Sequence, residues 1–266
     1  MENIFIIDYV FLGVFVGFMA GLLGVGGGGI MVPIFSMLFV MQGFATAEVM
    51  HLALGTSMAT IILTSFASMR AHHKRDNVAV AMAFKIAIGV VFGTFVATFL
   101  ASYLKGIYLA LFFSAFMGFV AYSMFKKTHY YHNDTPHGIL GNILSGTFIG
   151  GISALVSIGG GSLSVPYLMR QNFDIKRAIG TSAAIGFPIA ISGTLGYLIN
   201  GWEHTDWSHY IVGYIYLPAV VLVAVSSAFT VPLGVKYATK LPTDKLKKIF
   251  GVLSVVLSLK MLFSVL

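Results

Sequence analysis

The chain has 266 residues, of which 58% are hydrophobic and only 9% charged, with a mean hydropathy of +0.90. Soluble domains carry about a quarter charged residues, so this composition excludes a water-soluble globule and points to a polytopic protein of the lipid bilayer. The net charge of +7 does not indicate nucleic acid, because the basic residues fall in short segments between apolar ones, and the lack of cysteine excludes disulfides, thiolate metal sites and cysteine nucleophiles.

The N-terminal stretch MENIFIIDYVF has no basic segment and no small-residue cleavage site, so no cleaved signal peptide is expected. A first apolar helix, 5–23, runs into the glycine-rich stretch GLLGVGGGGIMVPIF at 21–35. Gly24, Gly26 and Gly29 satisfy G-x-G-x-x-G, but a dinucleotide site needs a strand and a soluble βαβ unit around it. A long apolar helix precedes these glycines, and the fingerprint is rejected. Gly26, Gly27, Gly28 and Gly29 are consecutive, cannot share one helix face and break the helix. Broken backbone at membrane depth is tolerated only inside protein or along a wet cavity. Pro33 suits the first turn of a new short helix, 30–41. Helix 48–69 follows with Gly55-Thr56-Ser57, then helices 80–100 and 104–125. Gly13, Gly17 and Gly21, like Gly89 and Gly93, have the spacing that lets membrane helices pack closely.

Past a join at 126–137 the opening pattern returns as GTFIGGISALVSIGGGSLSVPYL. Gly13 corresponds to Gly146, Gly17 to Gly150, and Gly26 to Gly28 correspond to Gly159, Gly160 and Gly161; Val32–Pro33 falls on Val165–Pro166. Gly55-Thr56-Ser57 likewise corresponds to Gly180-Thr181-Ser182. The chain therefore reads as a tandem duplication. The first repeat is 1–125, with a hairpin at 5–41, and the second is 138–266, with a hairpin at 138–170, in which 163–170 is the short helix, followed by helices 177–199, 210–233 and 246–265.

Basic residues set the topology. If each glycine run folds back as a re-entrant hairpin, segments 70–77, 126–137, 170–177 and 236–248 share one face. They then hold Arg70, Lys74, Arg75, Lys126, Lys127, Arg170, Lys176, Arg177, Lys236, Lys240, Lys245, Lys247 and Lys248, thirteen of the 16 Lys and Arg residues. The positive-inside rule makes that face cytoplasmic and puts both termini outside, together with the loop 200–209 that contains Glu203 and Asp206. A hairpin plus three crossings inverts the second copy relative to the first. The expected fold is thus all-α: a tandem inverted repeat, each copy a re-entrant broken-helix hairpin plus three transmembrane helices, an architecture typical of secondary transporters.

The short helices would start at the hairpin tips, with their free N–H groups and positive dipole ends turned to the protein centre, a seat for an anion without a cationic side chain. Ser157, Ser162 and Ser164 flank the second tip, and Thr56, Ser57, Thr181 and Ser182 lie on the next helices. For any one hydroxyl, bonding to its own or a neighbouring helix is the competing reading. No Asp or Glu falls in the middle of a span, which argues against a carboxylate proton relay or midplane cation site. His51 reads as an interfacial residue, and His129, His132 and His137 as part of a solvated join rather than a metal site. No nucleophile–base–acid set, cofactor site or metal site is evident, and an enzyme is not expected. The substrate-binding set is Gly26, Gly27, Gly28, Gly29, Thr56, Ser57, Ser157, Gly159, Gly160, Gly161, Ser162, Thr181 and Ser182.

The two copies, GVFVGFMAGLLGVGGGGIMVP with LGTS and GTFIGGISALVSIGGGSLSVP with IGTS, resemble the TauE/SafE family of membrane anion exporters over essentially the whole chain. The resemblance implies a plasma-membrane carrier exporting sulfite, sulfonates such as sulfoacetate, or related oxyanions, with a homo-oligomer left open. The second copy departs from the first in having Ser162 where Gly29 stands and eight fewer residues before Gly-Thr-Ser. An anion channel of the same architecture is the alternative, with a membrane-embedded enzyme or assembly factor behind it.

Overall fold

The computed structural model describes residues 4–24, 26–126, 138–238 and 240–264. The join beyond Lys126, with Lys127, His129, His132 and His137, lies outside the described residues. Helix α1 (Ile4–Leu23) stops where Gly24, Gly26 and Gly27 take positive φ, and α2 (Gly28–Met41) starts at once. Then come α3 (Thr46–His73), α4 (Val80–Tyr103) and α5 (Gly106–Phe125). After the join, α6 (Ile139–Val156) and the short α7 (Gly161–Arg170) are separated by Ser157 to Gly160. Helices α8 (Ile175–Asn200), α9 (Leu217–Ala238) and α10 (Thr243–Phe263) complete the chain. Seven helices, α1, α3, α4, α5, α6, α8 and α9, are long and apolar enough to cross a membrane, so this is an all-α, multi-pass membrane protein.

The glycine breaks are sharp because glycine accepts the left-handed conformation that a Cβ disfavours. Gly27 (φ 82°) precedes α2, and its counterpart Gly160 (φ 78°) precedes α7. Each starts its helix six residues ahead of the proline. Pro33 and Pro166 therefore lie in the second turn, not the first as expected, where they cannot supply the N–H that the carbonyls of Gly29 and Ser162 would otherwise accept. Both short helices begin two residues earlier than the sequence suggests, at Gly28 and Gly161.

Each broken helix doubles back. The Gln42 amide at the end of α2 donates to the Tyr9 hydroxyl near the start of α1 at 2.7 Å. In the second copy, Asn142 near the start of α6 accepts from the Tyr167 hydroxyl at 2.8 Å and from the Gln171 amide at 3.0 Å, at the end of α7. A straight run of about 30 residues would separate such groups by some 45 Å, so these bonds require a hairpin. Tyr9 and Asn142 are equivalent positions in the two copies, and each anchors the base of its own hairpin.

Helix pairing exchanges partners between the copies. α1 lies along α9 while its counterpart α6 lies along α4; α3 lies along α8, and α5 along α10. Glycine makes the first two pairings close. A Cβ on Gly13, Gly17 or Gly21 would strike the α9 carbonyls of Val223, Ser227 and Val231, and one on Gly89 or Gly93 would strike those of Ile143 and Thr147 on α6. α3 is the most deeply buried spanning helix.

One expected helix start is corrected. Residues 210–216 do not open the helix expected at 210; they form a two-stranded hairpin, β1 (Ile211–Val212) paired antiparallel with β2 (Ile215–Tyr216). Tyr210 (φ 56°) and Gly213 (φ 60°) break the helical path, and α9 begins only at Leu217, with Pro218 in its first turn. Two short 3-10 turns, Trp202–His204 and Trp207–His209, fill the rest of this loop.

Candidate functional site

The hairpin bends bring the two glycine tips into backbone contact at the centre of the bundle. A Cβ on Gly26 would lie 3.1 Å from the Cα of Gly159, one on Gly28 would strike the Ser157 carbonyl, and one on Gly29 would sit 3.4 Å from Ile158. α3 and α8 flank the contact through Ile61 and through Gly186, whose Cβ would lie 2.7 Å from the Gly159 carbonyl. Hydroxyls pin the tips in place. Thr64 donates to the Gly26 carbonyl at 3.1 Å, Ser182 to the Gly24 carbonyl at 3.2 Å, and Ser157 to the Leu54 carbonyl at 3.0 Å.

The Gly-Thr pairs work elsewhere. The Thr56 hydroxyl oxygen accepts the Tyr216 N–H at 3.0 Å, just before α9, and Thr181 accepts the Ala79 N–H at 2.9 Å, just before α4. The preceding glycines leave room: Gly55 lies against the Tyr214 carbonyl and Gly180 against that of Asn77. Each pair docks the segment entering the other copy's long helix. Neither threonine is hydrogen-bonded to a tip in the described residues.

The two tips differ in polarity. Ser153 on α6 and Ser162 and Ser164 on α7 are at least nine-tenths buried, and their hydroxyls have no hydrogen-bond partner among the described residues. The same holds for Ser57 on α3 and Thr94 on α4. The first-copy equivalents of Ser153, Ser162 and Ser164 are Ala20, Gly29 and Met31, none of which carries a hydroxyl. At the start of α7 the Leu163 and Ser164 amides both turn back to the Gly160 carbonyl, while those of Gly161 and Ser162 donate to no carbonyl among the described residues. Buried polar groups are as a rule hydrogen-bonded. Free amides at a helix N-terminus beside unpaired hydroxyls, with no acidic side chain among them, suit an anion.

Sequence reasoning passes over Ser153, Thr94, Ser68 and His72. The signal for the last two is the series Ser57, Thr60, Thr64, Ser68 and His72, spaced by three or four residues along α3, a single polar face inside an apolar bundle.

A separate feature lies where the 201–216 loop covers the first hairpin's base and the start of α3. Tyr214 is stacked between His51 (5.1 Å) and His204 (5.0 Å), and His204 Nδ1 lies 3.2 Å from Glu48 Oε1. Glu48, His204, Tyr214, Phe44 and Leu52 line a cavity of about 40 Å³, room for little more than a water molecule. Burial raises the Tyr214 phenol above its ordinary value, with Glu48 and Glu203 adding to it. On the same loop, Ser208 first and then His209 hold the Asp206 carboxyl down at about 2 by hydrogen bonding. Among the described residues no group of His, Asp or Glu has the grouping of a metal site.

A family model described as sulfite exporter TauE/SafE matches residues 9–261. A probable membrane transporter protein of Haemophilus influenzae is 34% identical over 261 residues, covering 97% of this chain and 98% of its own length. Probable membrane transporter proteins of Methanocaldococcus jannaschii (27% identical; 95% of this chain and 94% of the relative) and Bacillus subtilis (YdhB, 25%; 93% and 96%) are also similar. No solved structure gives a significant match.

Proposed function

The chain belongs to the sulfite exporter TauE/SafE family of membrane transporters, and from that premise we propose that it exports small sulfur-containing anions, sulfite and sulfonates such as sulfoacetate, across the plasma membrane by alternating access. The observation that carries this reading is the second tip, where the amides of Gly161 and Ser162, which donate to no carbonyl among the described residues, share the first turn of α7 with the unpaired, buried hydroxyls of Ser162 and Ser164, Ser153 on α6 being a third such hydroxyl. The anion sits there. Gly159, Gly160 and Gly161 bring the backbone close, Gly26 to Gly29 form the facing wall, and Ser57 reaches in from α3. Ser157, Ser182, Thr56 and Thr181 hold the frame. An oxyanion is matched by such donors in a dry interior, because charge-assisted hydrogen bonds are strong where water is excluded.

The exchange of packing partners between the copies supports an inverted repeat with a two-fold axis in the membrane plane. So do the equivalent hairpin-base bonds at Tyr9 and Asn142. In this arrangement both hairpins are re-entrant, the basic loops 70–77, 126–137, 170–177 and 236–248 are cytoplasmic, and both termini are outside. Rocking of one copy against the other would open the tips to each face in turn. A single cysteine placed within 200–209 should then label from outside the cell; labelling only after permeabilisation contradicts this topology.

The binding reading is tested by thermal unfolding of the purified protein across sulfite, sulfonates, thiosulfate and simple carboxylates, since a ligand of the folded state stabilises it. Sulfur oxyanions should raise the melting temperature. Losing one hydrogen bond to a charged ligand costs about 1.5–3 kcal/mol, so Ser162→Ala or Ser164→Ala should weaken binding about ten- to a hundredfold. Equal stabilisation of the substituted and unsubstituted proteins contradicts the site.

A further inference from the structure

The polar face of α3 is interrupted in the second copy. Ser57, Thr60, Thr64, Ser68 and His72 correspond to Ser182, Ile185, Ile189, Gly193 and Tyr197 on α8, so the second copy keeps a hydroxyl at each end and has none at the three positions between, and only the first copy has a continuous polar face. All five α3 residues are at most 2% exposed. Thr64 donates to the Gly26 carbonyl, which places the middle of the face at the first tip, and His72 stands one residue from the end of α3 beside the basic segment 70–77.

Three members of the face lack hydrogen-bond partners among the described residues: the hydroxyls of Ser57 and Ser68, and both ring nitrogens of His72. Leaving a buried polar group unpaired is costly, and in α8 the equivalent positions carry either a bonded hydroxyl (Ser182, Tyr197) or no polar group (Gly193). Tyr197, the counterpart of His72, is fully satisfied: its hydroxyl donates to the Ala154 carbonyl at 2.9 Å. The His72 ring faces the equivalent carbonyl, that of Gly21, without reaching hydrogen-bonding geometry. Arg75, two residues beyond the end of α3, is a charged side chain beside it. The parts of α8 and α9 beside Gly21 and Gly24 are Ile179, Val231 and Val235, which do not titrate.

We propose that the Ser57–His72 face of α3 is the anion's route between the tips and the basic face, with His72 as its titratable counter-charge. This rests on the transport reading above. The hydroxyls hydrogen-bond the passing anion. His72, neutral when alone, takes a proton from water at the basic face when an anion stands beside it and gives that proton up when the anion leaves. Passage of the anion is thereby favoured at lower pH on that face.

Since the sequence has no cysteine, Ser68→Cys gives a single thiol one helical turn from His72. The detergent-solubilised protein is treated with two thiol reagents of similar size, sulfonatoethyl methanethiosulfonate (anionic) and trimethylammonioethyl methanethiosulfonate (cationic). The ratio of their rates cancels the thiol's own titration and reads the local charge. Because the anionic reagent itself draws the proton onto His72, the ratio should rise at least about fivefold from about pH 8 to about pH 4, as a charge at roughly 6 Å requires. It should stay flat with His72→Tyr, which installs the residue the second copy already uses, and with His72→Gln. A thiol that neither reagent modifies, a ratio flat with pH while His72 is present, or a ratio still rising in the His72 variants overturns the proposal. Failure of the transport reading shows separately, as absent flux of radiolabelled sulfite in the unsubstituted protein.

Discussion

Gly28 and Gly29 are adjacent, both helical and both buried, yet their surroundings call for opposite responses to alanine. A Cβ on Gly28 would land within the Ser157 carbonyl of the other tip and 2.6 Å from the Ile61 Cδ1 atom. The carbonyl is backbone, held by a left-handed Ser157 whose side chain is itself bonded to Leu54, so relief requires the tips to part. Overpacking of this kind costs about 1–3 kcal/mol, occasionally more, while replacing glycine within a helix returns about 1 kcal/mol. The net for Gly28→Ala is a loss of up to about 2 kcal/mol. At Gly29 the new Cβ would meet Ile158 at 3.4 Å and the Met117 Cε atom at 3.5 Å, ordinary van der Waals contact. Gly29→Ala should therefore be neutral or stabilising by up to about 1 kcal/mol. The helix return is common to both variants, so thermal unfolding in detergent should show a difference equal to the overpacking cost, about 1–3 kcal/mol. Equal stabilities, or a less stable Gly29→Ala, would refute the claim that the two tips press on each other at Gly28.

Thr56→Ala and Thr181→Ala each leave a backbone N–H, of Tyr216 or Ala79, without its acceptor. Each should lower stability by about 1–2 kcal/mol in the same unfolding assay, with Thr→Ser at either position restoring most of it; full stability in both alanine variants rules out the docking role. In the 201–216 loop, Asp206 has its folded value depressed to about 2. A depressed carboxylate contributes stability above its unfolded value near 3.9, and that contribution is lost as pH falls through its folded value. The loop's hydrogen bonds from Ser208 and His209 should thus persist down to about pH 4 and disappear towards pH 2. Carboxyl-carbon NMR of labelled aspartate checks the midpoint, and Asp206 titrating near 3.9 contradicts the bonding.

The glycine runs, their repetition and the close-packing glycines are legible in the sequence because each is a local or periodic pattern. The hairpin bases are not, since Tyr9 meets Gln42 across 33 residues and Asn142 meets Gln171 across 29. Ile211 to Tyr216 run into α9 without a change in hydropathy, which hides the small β-hairpin; only the positive φ of Tyr210 and Gly213 marks it. The prolines mislead by one turn because a left-handed glycine, not the proline, starts each short helix. At the site, the repeat of Gly-Thr-Ser is legible as a pattern, but the docking of the next helix by its threonines is not, because Thr56 meets Tyr216 and Thr181 meets Ala79 across more than 100 residues. The hydroxyl asymmetry is readable only once Ser153, Ser162 and Ser164 are compared with Ala20, Gly29 and Met31. His72 escapes notice because it falls beyond the helix expected at 48–69, although it completes the polar face that begins at Ser57.

The central claim is that the facing tips carry a sulfur oxyanion by alternating access. Counterflow in proteoliposomes tests it most directly: vesicles loaded with unlabelled sulfite are diluted into trace radiolabelled sulfite. A carrier gives saturable uptake that the internal sulfite accelerates, and Ser162→Ala with Ser164→Ala abolishes that acceleration. Uptake that grows linearly with concentration and ignores the internal anion would contradict the account.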